Sequence, residues 1–211
     1  MNYRYRHDET LETIARNIIS QYDPALLHFP TFIPVEDIME KVYGLTLEFH
    51  SIRKNGRILG ETVFEDAEIP IYEHNGEGYK LIFVKAGTVI IDSSLLNKRS
   101  NGRFRFTCAH ELSHWVVDKN YFMQLGETAA LTSKTAAAVT KRIDRSSDTD
   151  AMVERQANRL ASRILMPKCT LKIAFHNAFK DTPNIVAYLA GLYGVSKQAM
   201  VIRLKELGLA K

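Results

Sequence analysis

The pattern of hydrophobic and polar positions divides the chain into a helical beginning, a β-rich middle and a long helical end. Apolar residues recur at helical spacing over residues 9–21, which predicts an amphipathic helix. A second helix is predicted from Pro34, because proline suits the first helical position and acidic residues follow in the first turn, at Glu36 and Asp37. Each of these helices has one apolar face to bury.

The middle of the chain, from residue 45 to 92, consists of short runs rich in β-branched and aromatic residues that are separated by turn formers. The predicted strands cover residues 45–49, 58–64, 69–72, 80–84 and 88–91. We interpret them as one small, mostly antiparallel sheet of three to five strands. From Arg103 onward the pattern is helical, so the predicted fold class is α+β, with the sheet packed on a helical core.

Composition narrows the class of protein. Of the 211 residues, 45% are hydrophobic and 25% are charged, which is typical of a folded globular protein and excludes a disordered or collagen-like one. The two cysteines, Cys108 and Cys169, are too few for a disulfide framework. No signal-peptide core or membrane span is evident, so we expect a cytoplasmic protein. The net charge of +4 permits nucleic-acid binding without requiring it.

The residues that carry chemistry are His110, Glu111 and His114, on a predicted helix. Histidines four positions apart on a helix point the same way, so both imidazoles can bind one ion. Zinc suits them, because imidazole nitrogen is one of its usual ligands and catalytic zinc keeps one position open for water. Glu111 lies about 100° further round the helix. There it can act as the general base without being a ligand, which predicts a zinc-dependent hydrolase.

Other interpretations of this motif remain open. A His-Glu-x-x-His pattern also arises by chance, and two buried histidines can simply be hydrogen-bonded core residues. Cys108 lies two positions before His110, on nearly the opposite side of the helix, so we expect it to pack in the core rather than to bind metal.

A catalytic zinc needs a third protein ligand, and a predicted helix that ends at Pro167 supplies a candidate. Glu154 and Asn158 share the face of this helix that packs inward, together with Leu165. A carboxylate on a buried face needs a partner, and a divalent cation is a natural one. Glu154 is therefore the predicted third ligand.

Two other features near this helix have less specific interpretations. A basic stripe follows helical spacing through Arg155, Arg159 and Arg163, and we interpret it as a solvent-exposed face rather than a site for an acidic partner. The stretch 126–150 is rich in Ala, Ser and Thr, and we interpret it as a surface insertion with a weak helix over 128–140.

Two motifs in this order resemble those of the ImmA/IrrE family of zinc metallopeptidases. The segment from Arg105 to His114, R-F-T-C-A-H-E-L-S-H, is similar to the family pattern R-F-T-x-A-H-E-L-G-H. The segment from Glu154 to Pro167 is similar to E-x-x-A-N-x-F-A-x-x-L-L-M-P, and a predicted strand, Val89 to Asp92, leads to the first motif. The resemblance covers roughly residues 35–170.

The resemblance implies His110, His114 and Glu154 as zinc ligands and Glu111 as the general base. It also implies cleavage of a helix-turn-helix repressor encoded nearby, which relieves repression in a mobile element or a stress response. The chain departs from the family pattern at Ser113, where glycine is usual.

Two further departures concern the second motif and its distance from the first. Leu160 stands where phenylalanine is common, and the stretch between His114 and Glu154 is longer than expected.

The end of the chain, residues 171–211, is predicted to form a helix-turn-helix-like segment packed on a peptidase-like domain formed by residues 1–170. Gly194 suits the turn and Ser196 suits the cap of the second helix. If the segment reads DNA, the residues that face the groove are Lys197, Gln198, Val201 and Arg203. We favour packing on the peptidase core over DNA binding.

The sequence thus predicts a zinc-dependent endopeptidase that acts on a protein. The alternatives are a DNA-binding regulator with a structural or vestigial metal site, and an antirepressor that acts without proteolysis. Oxyanion stabilisation is not assigned, and the possible donors are Tyr121, His176, Tyr188 and Tyr193.

Overall fold

A computed structural model describes most of the chain: residues 5–52, 59–72, 78–96, 101–124, 148–178 and 182–210. The helix predicted over 128–140 lies outside the described residues, as does nearly all of the predicted insertion 126–150.

The described residues form seven α-helices with defined ends. They are α1 Asp8–Tyr22, α2 Val35–Lys41, α3 Asn101–Val117, α4 Asp148–Leu165, α5 Lys168–Ala178, α6 Ile185–Tyr193 and α7 Lys197–Glu206. A further helical stretch over residues 119–124 follows α3. Both helices predicted near the start of the chain are present, although Pro34 precedes α2 as its N-cap rather than opening it.

Five strands lie where the sequence pattern predicts them. They are β1 Thr46–His50, β2 Gly60–Thr62, β3 Ala67–Tyr72, β4 Tyr79–Val84 and β5 Thr88–Asp92. The α+β class is therefore confirmed, but the strands form two small sheets rather than one. In the first sheet β5 lies between β1 and β2, parallel to β1 and antiparallel to β2, and β3 pairs with β4 in the second, antiparallel sheet.

The central strand of the first sheet explains the parallel pair. All five residues of β5 are buried, as expected for a strand covered on both faces. Apolar runs of this kind mark a buried strand but carry no information about the direction of its neighbours. The mostly antiparallel single sheet is corrected in this respect: the first sheet is mixed.

The main core lies between the helices and one face of the first sheet. Fully buried apolar side chains come from α1, β5, α3 and α4, and include Leu11, Ile18, Ile91, Leu112 and Leu160. Burying a side chain of this size contributes about 1.5–3 kcal/mol. A smaller cluster, formed by Ile52, Val63, Ile69, Val84 and Ile90, lies beneath the β3–β4 sheet.

The C-terminal helices share this core. Leu189 of α6 and Leu204 of α7 are fully buried in it. The turn between the two helices has Gly194 in the left-handed region, at φ 63°, where a residue with a Cβ is strained. Arg105 of α3 is buried and donates hydrogen bonds to the carbonyl oxygens of Gly194, at 3.2 Å, and Ile33, at 2.8 Å. The bond to Gly194 fastens the turn to the helix that carries the histidine motif, and the bond to Ile33 fastens the segment before α2 to the same helix.

Among the described helices, none alone has the length and apolar character to cross a membrane. Helices α6 and α7 have that length and apolar character only when they are taken together, and the pair is bent by 103°.

Candidate metal centre

Helices α3 and α4 bring His110, His114 and Glu154 together. The Nε2 atoms of the two histidines lie 3.0 Å apart. The carboxylate oxygens of Glu154 lie 3.6 Å from Nε2 of His110 and 3.5 Å from Nε2 of His114. The three side chains thus direct one ligand atom each toward a common point, and these atoms all lie within 4.8 Å of one another.

The separations fit a tetrahedral ion. Zinc binds imidazole nitrogen and carboxylate oxygen at about 2.0–2.2 Å, so two tetrahedral ligand atoms lie about 3.3–3.5 Å apart. The observed separations of 3.0–3.6 Å bracket that value. Two imidazoles and one carboxylate are also a common ligand set of catalytic zinc.

Each histidine is oriented through its other ring nitrogen. Nδ1 of His114 lies 2.9 Å from Oδ2 of Asp118, a fully buried carboxylate that can only accept, so Nδ1 carries the proton. Nδ1 of His110 lies 3.1 Å from Oδ1 of Asn158 and donates to it. Both Nε2 atoms are then left to act as ligands. Zinc-binding histidines usually donate their other ring N–H to an oxygen in this way.

The charges around the two imidazoles favour a cation. Burial alone lowers the pKa of His114, but hydrogen bonds to the carboxylates of Asp118 and Glu154 outweigh it and raise that pKa to about 10. The Glu111 carboxylate acts in the same direction. Three carboxylates therefore surround one imidazole in a buried site, and a bound divalent cation satisfies this excess of negative charge.

Glu111 lies beside the three ligands and has contacts of its own. It is buried, and its Oε2 accepts a hydrogen bond of 2.8 Å from the hydroxyl of Thr62 on β2. Burial raises the pKa of Glu111 to about 7, against the lowering effects of His114 and Thr62. A carboxyl group with a pKa near neutrality is suited to accepting and returning a proton.

The approach of β2 to Glu111 depends on a glycine. A Cβ at Gly60 would lie 2.6 Å from Oε1 of Glu111 and 2.7 Å from a methyl carbon of Thr107. Any larger residue there would have to displace the carboxylate or the strand.

Aromatic rings cover one side of the centre. The ring of Phe64, just after β2, stacks on Trp115 at 5.9 Å and on Phe122 at 5.0 Å. The rings of Phe122 and His114 meet in a T-shaped arrangement, with centroids 5.9 Å apart. This wall keeps water away from the buried side of His114 and strengthens the interactions of the charged groups there.

The structure disperses the residues considered for oxyanion stabilisation. Tyr193 is fully buried in the core, and Tyr188 and His176 are exposed. Tyr121 is half-buried and packs against Phe122, which itself contacts His114. Cys108 is fully buried, and burial raises the pKa of its thiol, which agrees with the predicted packing role.

The residues considered for DNA contact separate into two groups. Lys197 and Gln198 are exposed at the start of α7, and Val201 is half-buried. Arg203 is fully buried, and it donates to the carbonyl oxygen of Met166 at 3.2 Å. It therefore has no access to a DNA groove, and the structure does not support that predicted role.

The basic stripe on α4 also differs from its interpretation. Arg155 is exposed as expected, but Arg159 and Arg163 both bind the carboxylate of Asp8 at the start of α1. The interpretation of a solvent-exposed stripe is wrong for Arg163, whose side chain is 3% exposed, because its acidic partners come from a distant part of the chain.

Two residues that orient the centre were not identified from the sequence: Asp118 and Thr62. Asp118 follows His114 by four positions, the same helical spacing that relates the two histidines, so that signal was present. Thr62 carries no comparable signal, because its contact with Glu111 depends on how a strand packs on a helix 49 residues away.

The fold and the site define an α+β protein with a His-His-Glu group that could hold a metal ion, and with a further carboxylate, Glu111, on the helix of the two histidines. The chain belongs to the M78 peptidase family: the model of its IrrE N-terminal-like domain matches residues 95–205, just over half of the sequence. This confirms the resemblance stated above. The match includes all four site residues and runs across the predicted boundary at residue 170.

Among solved structures, the chain is similar to a Mycobacterium tuberculosis transcriptional regulator, with a TM-score of 0.51 and 15% sequence identity. The alignment covers 95% of this chain and 56% of the regulator, so the chain spans a little over half of that protein's length. At this identity the likeness concerns the fold alone. No curated protein matches the sequence.

Proposed function

We propose that the protein is a zinc-dependent endopeptidase. The observation that carries the proposal is the convergence of His110, His114 and Glu154 at separations that suit a tetrahedral ion, with the buried carboxylate of Glu111 on the same helix. Membership of a peptidase family supports the same conclusion.

The roles of the residues follow from their contacts. When bound by the two imidazoles and Glu154, zinc would supply Lewis-acid chemistry to a peptide carbonyl and to water. Glu111 accepts the proton of the attacking water and returns it to the amine nitrogen that leaves as the peptide C–N bond breaks. Thr62 holds the Glu111 carboxylate in place through its 2.8 Å hydrogen bond.

The proposed substrate is a protein, specifically a helix-turn-helix repressor whose cleavage relieves repression in a mobile element or a stress response. This choice rests on the family resemblance, and the fold similarity to a transcriptional regulator is compatible with it.

Metal content and cleavage test the proposal separately. We expect one zinc per chain in the unmodified protein, measured by mass spectrometry of metals, and loss of that zinc in His110→Ala. Glu111→Gln keeps both imidazoles and Glu154, so it should retain zinc while cleavage of a co-expressed repressor falls by at least a hundredfold. Cleavage that persists in Glu111→Gln would refute the role given to this residue.

A second candidate function is DNA binding through α6 and α7, or inactivation of a repressor by binding without cleavage. The DNA-binding alternative is favoured by the exposure of Lys197 and Gln198 at the start of α7. A gel-shift assay with the promoter region of the repressor tests it. Binding that survives Glu111→Gln and is lost in a Lys197→Ala, Gln198→Ala double variant would favour this function. A repressor that is inactivated but not shortened would indicate sequestration.

A further inference from the structure

A cavity of about 660 Å³ lies between the first turns of α3, the middle of α4 and the length of α7. This volume falls within the range of about 300–1,000 Å³ that is typical of small-molecule sites. One of its lining residues is Asn158, whose side chain also orients His110 through the 3.1 Å hydrogen bond described above. The cavity thus adjoins the candidate metal centre without including its ligands.

The lining combines an apolar wall with polar groups. Phe106, Val195, Ala199 and Ile202 supply the apolar surface. Ile202 is 51% exposed although it is a large aliphatic side chain, so part of this wall is open to a ligand. The wall is close-packed where α3 meets the turn before α7, because a Cβ at Gly102 would lie 3.0 Å from the backbone of that turn.

Two of the three charged residues in the lining have ion-pair partners. Arg159 is bound to Asp8 and to the hydroxyl of Tyr5, and Glu206 is paired with Arg203. Among the residues whose side chains the structure describes, the third charged residue of the lining, Arg103, forms no ion pair with a carboxylate, and it is exposed. A ligand that fits this cavity therefore has an apolar body and one negative charge.

We propose that the cavity binds a small amphipathic carboxylate, with its anionic head at Arg103 and its apolar body against Phe106, Ala199 and Ile202. The size of the cavity favours a small molecule over a folded partner. The ligand would lie beside Asn158, which is the residue that orients His110. This assignment does not depend on the proposed peptidase activity.

Calorimetric titration with octanoate tests the site, with octan-1-ol as the uncharged probe of equal chain length. We expect saturable binding of one octanoate per chain and at least tenfold weaker binding of octan-1-ol, since the alcohol has no charge for Arg103. Absence of saturable octanoate binding, or equal affinity for the two probes, would overturn the proposal. The titration is repeated after chelation, because octanoate held by a metal ion would no longer bind there, whereas octanoate in the cavity would.

Two pairs of matched variants locate the binding. Ile202→Glu places a negative charge in the cavity and should weaken octanoate binding at least tenfold, whereas Ile173→Glu, at a similarly exposed isoleucine on α5, should leave it unchanged.

Arg103→Gln should reduce octanoate to the affinity of octan-1-ol, and Arg155→Gln, at an exposed arginine of α4, should not. Both arginines are exposed, so these variants keep the fold, and circular dichroism checks this. If Arg103→Gln and Ile202→Glu bind octanoate as the unmodified protein does, the cavity is not the site.

Discussion

At the scale of single residues, the orientation of His114 depends on a short chain of buried polar side chains. Asp118 accepts from Nδ1 of His114 at 2.9 Å, and its other oxygen lies 3.5 Å from Nε2 of Gln156. Gln156 in turn accepts from the backbone N–H of Arg6 at 2.7 Å. Because Asp118 and Gln156 are both fully buried, the ring of His114 has one well-defined position.

Asp118→Asn removes the negative charge beside His114 while keeping nearly the same shape. We expect zinc affinity to fall by roughly 10–100-fold, the usual effect of changing such a partner of a metal-binding histidine. Competition with a chromogenic chelator measures it. Asp37 forms a surface ion pair with Lys41, so Asp37→Asn is the matched control and should leave the zinc affinity unchanged. Equal zinc affinity in both variants would show that Asp118 does not support the site.

The sequence predicts those parts of the site that depend on spacing along one helix. Four-residue spacing places His110 and His114 together, and the inward face of α4 indicates Glu154. The hydrogen bond from His110 to Asn158 joins residues 48 positions apart, and it depends on how α3 and α4 pack. Periodicity within one helix carries no information about that packing, so the inward position of Asn158 was predicted but its hydrogen bond to His110 was not.

At the scale of elements, the packing of β2 on α3 decides where the Glu111 side chain lies. The Thr62 hydroxyl contacts Glu111 twice, at the carboxylate and, at 3.2 Å, at the backbone carbonyl oxygen. The strand reaches this close because Gly60 has no Cβ. The edge strand therefore acts as a support for the proposed general base.

Gly60→Ala tests this support. The added Cβ would lie 2.6 Å from Oε1 of Glu111, so the carboxylate must move, and we expect proteolysis to fall at least tenfold while zinc content stays at one per chain. The free energy of unfolding should also drop by about 1–3 kcal/mol, the usual cost of overpacking. Repressor cleavage, metal analysis and urea denaturation measure proteolysis, zinc content and the free energy of unfolding, respectively.

The control for Gly60→Ala is Gly191→Ala on α6, where an added Cβ meets nothing within 4 Å. Alanine is favoured over glycine inside a helix, so this variant should be more stable by about 0.5–1 kcal/mol and keep its activity. If Gly60→Ala behaves like Gly191→Ala, β2 is free to move away from Glu111 and does not hold it.

The strands show which features of an element a sequence pattern carries. Alternation and turn formers locate all five strands, because side-chain period and turn chemistry are local. The parallel pairing of β1 with β5, from Thr46 opposite Thr88 to His50 opposite Asp92, joins strands about 40 residues apart. Direction of pairing leaves no trace in the period of either strand, so the mixed sheet was not predicted.

At the scale of the whole molecule, buried charges join the two ends of the chain. Arg203 of α7 lies 2.6 Å from the carboxylate of Glu12 on α1, and the same carboxylate lies 3.4 Å from Arg163 of α4. Both arginines are almost completely buried. The C-terminal helix is thereby bound to α1 and to the helix that carries Glu154.

Arg203→Met keeps the length of the side chain and removes its charge and hydrogen bonds. It leaves the Met166 carbonyl oxygen without this donor, so we expect the free energy of unfolding to fall by about 3 kcal/mol. Urea denaturation measures the change. Arg155→Met, at an exposed position of α4, is the matched control and should stay within about 0.5 kcal/mol of the unmodified protein.

A double-variant cycle isolates the ion pair from the other contacts of Arg203. Glu12→Gln alone leaves two buried guanidinium groups with less negative charge, and Arg203→Met relieves part of that imbalance. We therefore expect the double variant to lose at least 1 kcal/mol less stability than the sum of the two single variants. Strict additivity would mean that Arg203 stabilises the molecule through packing and its bond to Met166 alone, and that the charges do not join the C-terminal helix to α1.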